Sequence, residues 1–362
     1  MKKIFLYAYD HINLGDDLFI ETIVNRYPDT EFYFWTNDKN RKVFQTQKNL
    51  KIIDENSAKI RLLRKIRPSL AARYKSDIQK KCDAQVYIGG SIFMEYPTWK
   101  NIVSWWDHQS RNYPFFVLGA NFGPYHTEEY RDEMNRIYTH LKDICFRDRY
   151  SKSLFAQNNN VRQASDILFS YPMPKVEENK KQIFISVISY KDKELSSDFD
   201  QMTNEEYIEK MAQISSGFTK QGYKVILVSF CREEGDLDAA EEIKNRSEQK
   251  QNITTFDYDG TNRKQLLEEM SRSAYIIAAR FHGTILGLAA EKTVFPILYS
   301  DKTKYVLQDI GFCGEYADLR DPESLSFENA RKNLESKYKI NVTESVKNAE
   351  KHFEKLDELL NN

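Results

Sequence analysis

The stretch AYIIAARFHGTILGLAAEKTVFPILYSDKTKY (274–305) reads as strand, helix, strand. AYIIAA (274–279) is a short apolar run of the length of a buried strand. Arg280-Phe281-His282-Gly283 follows it, and Thr284 opens a helix whose first turns hold no acid until Glu291. A second buried strand, TVFPILY (293–299), ends at Tyr299, with Lys302 and Lys304 just beyond. A strand that leads through a helix into another strand builds a parallel sheet covered by helices.

Outward from that unit the pattern repeats. Strand-like runs occur at IFLYAY (4–9), EFYFW (31–35), AQVYIG (84–89), FFVLGA (115–120), ICF (144–146) and VRQAS (161–165). After a break come QIFISVIS (182–189), KVILVSF (224–230) and ITTF (253–256). Amphipathic stretches separate them, as in 17–27 (Leu18, Ile20, Ile23, Val24, Tyr27) and 205–219 (Tyr207, Ile208, Met211, Ile214, Phe218). The break, SYPMPKVEENKKQ (170–182), has the prolines and charge of an interdomain linker. The expected architecture is therefore α/β, with two Rossmann-like domains over 1–174 and 175–362. Val342, Val346, Ala349, Phe353, Leu356 and Leu360 predict a terminal amphipathic helix of about five turns, free to pack on either domain.

Composition narrows the function classes. In 362 residues, 53 Lys and Arg oppose 54 Asp and Glu, so no overall charge draws the chain to nucleic acid. Hydrophobic residues at 41% and aromatics at 13% exclude a disordered chain. The four cysteines (Cys82, Cys145, Cys231, Cys313) lie far apart, without the close spacing of a zinc knuckle or redox motif. No signal peptide and no apolar run of membrane-spanning length are visible, which points to the cytoplasm and reduced thiols. One asymmetry survives the neutral total: residues 59–81 hold nine Lys and Arg against Asp77 alone. That amphipathic stretch is a solvated helix face, a contact for the inner face of an anionic membrane, or a holder for a charged acceptor.

Only 13 glycines are present, and they concentrate at predicted strand ends: Gly15, Gly89, Gly90, Gly119, Gly123, Gly283 and Gly287. Ligands of open α/β sheets bind at those ends, where glycine admits close backbone approach. No single turn is a G-x-G-x-x-G fingerprint or a P-loop. Arg280, His282 and a helix N-terminus converge on one of them, placing a titratable group beside an anion site. In an extended segment Arg280 and His282 would project on one side. Arg147 and Arg149, at the end of ICF, either form a second anion anchor or pair with Asp148 and Asp166. Asp16 either contacts ligand or caps a helix near Asp17. Tyr96, Trp99, Trp105 and Trp106 stack on sugars if exposed and belong to the core if at helical spacing. His108 and His126 have no matching ligand cluster, and no metal site is visible.

Taken in order, these motifs resemble those of the polysaccharide pyruvyl transferase family across residues 4–311. Asn13-Leu14-Gly15-Asp16 resembles the family's N-x-G-D, Gly89-Gly90-Ser91 its G-G-[ST], and Gly119-Ala120-Asn121-Phe122-Gly123-Pro124 its G-x-x-x-G-P. Arg147-Asp148-Arg149-Tyr150-Ser151 resembles its R-D-x-x-S, with Ser165-Asp166 following. Arg280-Phe281-His282-Gly283 resembles its R-[LF]-H-[AG], and Tyr299 with Lys302 its late Y-x-x-K. At Ser189-Tyr190-Lys191 relatives often carry an arginine, so Lys191 departs from the pattern. The resemblance implies a GT-B-like fold with the site in the cleft between domains. It also implies transfer of pyruvate from phosphoenolpyruvate, the donor co-substrate, onto two hydroxyls of a saccharide acceptor as a cyclic ketal, in capsular, exopolysaccharide or cell-wall synthesis. On this reading the acceptor is either free or lipid-linked, and no other cofactor is implied. Phosphoenolpyruvate carries a phosphate and a carboxylate and so needs cationic anchors. The expected catalytic residues are His282, as general acid or base, and Arg280, as anion ligand. Asn13, Gly15, Asp16, Gly89, Gly90, Ser91, Asn121, Arg147, Arg149, Lys191, Gly283, Thr284, Tyr299 and Lys302 are the expected substrate contacts. A nucleotide-sugar glycosyltransferase of the same fold, or a non-catalytic glycan-binding protein, are the competing readings.

Overall fold

The computed structural model describes residues 1–191 and 202–361. Two all-parallel sheets carry the chain. The first holds β1 (Lys3–Tyr7), β2 (Glu31–Thr36), β3 (Leu50–Asp54), β4 (Ala84–Ile88), β5 (Phe115–Ala120), β6 (Asp143–Phe146) and β7 (Val161–Gln163), in the order β3-β2-β1-β4-β5-β6-β7. The second holds β8 (Asn179–Ser186), β9 (Lys224–Ser229), β10 (Ile253–Asp257), β11 (Ser273–Ala278), β12 (Thr293–Leu298) and β13 (Ala317–Asp318), in the order β10-β9-β8-β11-β12-β13. In each sheet the order reverses once, between β1 and β4 and between β8 and β11. These reversals are the switch points at which doubly wound sheets bind ligands.

The central strands form because their side chains are apolar on both faces. All six residues of β5 and of β12 are buried. In the first sheet Trp106, Phe115, Phe122, Tyr130, Tyr138 and Phe155 make an aromatic core between the strands and the helices Trp99–Asn112 and Glu128–Tyr138. Trp99 and Trp105 pack against that core, while Tyr96 stands exposed. In the second sheet Ile183, Ile185, Leu227, Tyr275, Ile277 and Phe295 meet Tyr207, Met211 and Phe218 of the helix Asn204–Lys220. No disulfide forms, and all four cysteines are free. No helix among the described residues is long and apolar enough to cross a membrane.

Contacts divide the chain into two units, each assembled from separate segments. The first comprises residues 1–10, 16–167 and those from Lys347 onward, and the second comprises 11–15 and 168–346. The terminal helical segment, left unassigned by its sequence, thus joins the first unit. It is not one continuous helix: Thr343–Ala349 and Glu354–Leu360 are separated by a 3-10 turn at Glu350–Phe353. Tyr27 Oη donates to Asp357 at 2.7 Å, and the Arg26 guanidinium stacks over Phe353 at 4.6 Å, holding that segment in place.

Candidate functional site

At the switch point of the second sheet, β11 runs into Ala279, whose N–H donates to Ser186 O at 3.0 Å. Arg280 is still extended and occupies the N-cap position of the helix Phe281–Ala289. That helix starts three residues earlier than the sequence predicts, so His282 is helical and the extended geometry expected to align Arg280 with His282 ends between them. The two side chains take different directions. Arg280 Nε donates to Asp236 Oδ2 at 2.8 Å and Nη1 to Glu234 Oε2 at 2.6 Å, while Nη2 donates to Asp236 Oδ1. The fork expected to hold a substrate anion is therefore filled by two carboxylates of the chain itself.

Asp236 is fully buried at the first position of the helix Asp236–Arg246, and it accepts more than the arginine. Backbone N–H groups of Ser189 (3.3 Å), Phe230 (3.2 Å) and Cys231 (3.1 Å) also donate to it. One carboxylate thus ties together the segments after β8 and β9 and, through Arg280, the segment after β11. Burial opposes the charge on Arg280, but Asp236 and Glu234 outweigh it and hold the guanidinium well above its ordinary value. The sequence reading missed Asp236 and Glu234. Their signal was CREEGD (231–236), acids and a glycine at a strand end like the turns it did single out.

His282 turns instead toward residues 11–15, the short segment that packs in the same unit. Leu14 N–H donates to Phe230 O at 3.1 Å, and His11 pairs with Glu233. Asn13 is the cap of the helix Leu14–Arg26, its Oδ1 accepting from Gly15 N–H at 3.1 Å, and Asp16 lies inside the first turn rather than capping it. A β-carbon on Gly15 would stand 1.7 Å from His282 Nδ1. Only glycine at 15 allows the imidazole where it sits. The ring is half-buried and meets Phe281 edge-on at 5.1 Å. Gly283 and Thr284 are buried in the same turn, and Thr284 Oγ1 has no hydrogen-bond partner among the described residues. Tyr299 packs against the second core, and Lys302 Nζ lies 5.0 Å from its ring. Lys191 is exposed and lines a cavity of about 210 Å³ with Ser189, Asn204, Glu233, Glu234 and Asp238.

The first sheet gathers a second group at the ends of four adjacent strands. Gly89, Gly90 and Ser91 follow β4, Asn121 follows β5, Arg147 follows β6 and Asp166 lies beyond β7. Arg147 Nη2 donates to Asn121 Oδ1 at 2.6 Å and Nη1 to Asp166 Oδ2 at 3.2 Å. Ser91 Oγ donates to the same Asn121 oxygen at 3.2 Å. The guanidinium lies over Gly90, where a β-carbon would come within 2.7 Å of Nη1. Arg147 and Asp166 are almost wholly buried, so of the two readings of Arg147 the structure displays the internal network. Arg149 parts from it and is exposed at the start of the helix Arg149–Ser153. Asp148 caps that helix, accepting from Ser151 N–H at 2.7 Å and Ser151 Oγ at 2.8 Å.

Behind this network sits the terminal segment. Ser165 N–H donates to Asn348 Oδ1 at 2.7 Å, and His352 Nε2 lies 2.9 Å from Ser165 O. Burial first, and then the charges of Arg162 and Arg147, pull the His352 pKa down to about 3. A neutral ring with Nε2 beside a carbonyl must carry its proton there and donate it to Ser165 O. Neither residue stood out in the sequence, where both read as positions of an amphipathic tail.

Two Rossmann-like units with polar clusters at their strand ends define an α/β protein of the GT-B type. Among solved structures it is similar to the Neisseria meningitidis UDP-GlcNAc 2-epimerase bound to UDP-GlcNAc (TM-score 0.61, 11% identity, all of both chains covered). It is also similar to the Methanocaldococcus jannaschii UDP-GlcNAc 2-epimerase (TM-score 0.58, 10% identity, 99% of this chain and 100% of that one). Anabaena Alr3699/HepE in complex with UDP and glucose is similar too, with a TM-score of 0.55 at 12% identity, 99% of this chain and 100% of that one being covered. At such identities the likeness is one of fold. Residues 13–301 match the model of the polysaccharide pyruvyl transferase family, and the chain belongs to that family. No curated protein sequence matches the chain.

Proposed function

We propose that the protein moves pyruvate from phosphoenolpyruvate onto two hydroxyls of a glycan sugar, forming a cyclic ketal in the synthesis of an envelope polysaccharide. The observation that carries this reading is the seating of His282. A half-exposed imidazole stands in the first turn of a helix at a switch point, its Nδ1 against a glycine of the N-x-G-D motif. Family membership supplies the reaction class.

The chemistry needs a proton delivered to carbon and protons removed from oxygen. Protonation of the donor's methylene carbon makes C2 oxocarbenium-like, and the first hydroxyl adds there as it loses its proton. The C2–O bond to phosphate then breaks, the second hydroxyl adds to the regenerated cation, and its proton leaves with phosphate or solvent. His282 is the group assigned to proton transfer, a role worth on the order of 10²–10⁴-fold. Arg280, committed to Asp236 and Glu234, is a positioning residue that fixes the start of the His282 helix. Lys302, Lys191 and the N–H groups opening that helix are assigned to the donor's anionic groups. Asn121, Ser91 and the Gly89-Gly90 backbone are assigned to the acceptor.

Incubation with phosphoenolpyruvate and a panel of saccharides tests the proposal by mass spectrometry. The expected product is an acceptor heavier by one pyruvic acid less one water, with phosphate released. Thermal protection by nucleotide sugars and none by phosphoenolpyruvate would overturn it in favour of a glycosyltransferase.

A further inference from the structure

After β3 the chain forms two basic helices, Ala58–Ile66 and Pro68–Gln79. Their inner sides are anchored. Ile60, Ala71 and Gln79 are buried, and Lys75 Nζ lies 5.8, 5.2 and 5.3 Å from the rings of Phe5, Tyr7 and Trp35. The outer side is different. Leu62 and Ile66, one helical turn apart on one face, are 58% and 66% exposed, more than any other large hydrophobic among the described residues except Met1. On the same helix pair Arg61, Lys65, Arg67 and Arg73 are exposed and enter no ion pair among the described residues, while Arg64 reaches Glu55 only at 3.8 Å. Exposed arginines elsewhere behave otherwise: Arg111, Arg136 and Arg246 each hold at least one carboxylate at 3.0 Å or closer.

We propose that this helix pair docks the protein on an anionic lipid bilayer. Leu62 and Ile66 enter the headgroup boundary, and the unpaired cations face lipid phosphates. Two exposed aliphatic side chains on a helix pair rich in long cations match the layered polarity of that boundary. They are too few for the core of a protein interface, which takes about 800 Å² from each partner. A nucleic-acid backbone would meet an exposed apolar pair among the charges. The cations act at the range of the screening length, so docking weakens with salt.

Flotation of the full chain with vesicles tests this without donor or acceptor, so its outcome is independent of the reaction proposed above. Vesicles of phosphatidylcholine with phosphatidylglycerol are expected to carry at least roughly tenfold more protein than phosphatidylcholine alone, and less in high salt. Leu62→Ser with Ile66→Ser, and separately Arg61→Glu, Lys65→Glu, Arg67→Glu and Arg73→Glu together, should each lower binding to the neutral-vesicle level. Both variants should melt like the parent, since all the altered side chains are exposed. Equal binding to both vesicle types, or undiminished binding by either variant, overturns the proposal. So does self-association through Leu62 and Ile66, or RNA binding, in place of vesicle binding.

Discussion

Gly15 and His282 exclude any side chain at position 15: a β-carbon there would lie 2.4 Å from the imidazole Cγ and closer still to Nδ1. Gly15→Ala must therefore swing the ring out of place. A displacement of about 1 Å at a reacting group costs on the order of 10²-fold in rate. Turnover should fall by that much while the melting temperature shifts little, because the ring is half-exposed and can move. Parent-like turnover in this variant would show that the ring's seat does not matter.

His282→Ala should lower ketal formation by about 10²–10⁴-fold. Thermal protection by phosphoenolpyruvate should persist, since donor anchoring is assigned to other groups. Retained turnover with intact donor binding would remove His282 from proton transfer.

Arg280 and Asp236 form a buried pair, with side chains 9% and 0% exposed. Asp236→Ala leaves a guanidinium without its main counter-charge, a change that typically costs about 3–5 kcal/mol. Urea unfolding should show that loss. Glu234→Gln, at a side chain 31% exposed, should cost less than about 1 kcal/mol. Equal effects would mean that Asp236 is not the principal partner.

Gly90→Ala pushes on the Arg147 guanidinium, which hydrogen bonds to Asn121 and Asp166 hold in place. The ring of partners leaves it little room, so overpacking of about 1–3 kcal/mol is expected. Unfolding midpoints of the variant and parent check this directly.

His352 gives a pH signature. Its folded pKa, about 3, lies below the ordinary histidine value of 6.5, so the unfolded chain binds the extra proton. The stability it allows is complete above pH ~6.5 and is lost as pH falls toward 3, with a slope approaching about 1.4 kcal/mol per pH unit. His352→Gln should flatten that part of the stability–pH curve. An unchanged slope would assign the acid lability elsewhere.

Much of this was readable in the chain because buried parallel strands are continuous apolar runs, as in β5, β11 and β12. The strands overlooked were β3, LKIID, with one buried residue of five, and β13, only two residues long. Both lack the run that marks an interior strand. At the site, His282, Gly15, Asn121 and Arg147 stood out through their motifs. Arg280 stood out as a cation, but its partner Asp236 lies 44 residues away in sequence, and no local pattern couples them. Charge type is legible in a sequence, whereas charge compensation depends on what folding brings alongside. The tail was legible as amphipathic, yet what Asn348 and His352 grip, the backbone of Ser165, has no side-chain signature at all.

The crossing of segments between the units has a consequence for inheritance and engineering. Residues 11–15 lie in the second unit although they come from the start of the chain, and the tail from Lys347 lies in the first although it comes from the end. A gene cut once at the linker would yield a front half without its tail and a back half without Gly15, the residue that shapes the seat of His282. Neither half is a transferable cassette. Recombination between relatives should therefore succeed only when residues 11–15 and the segment from Lys347 each come from the same parent as the unit they complete.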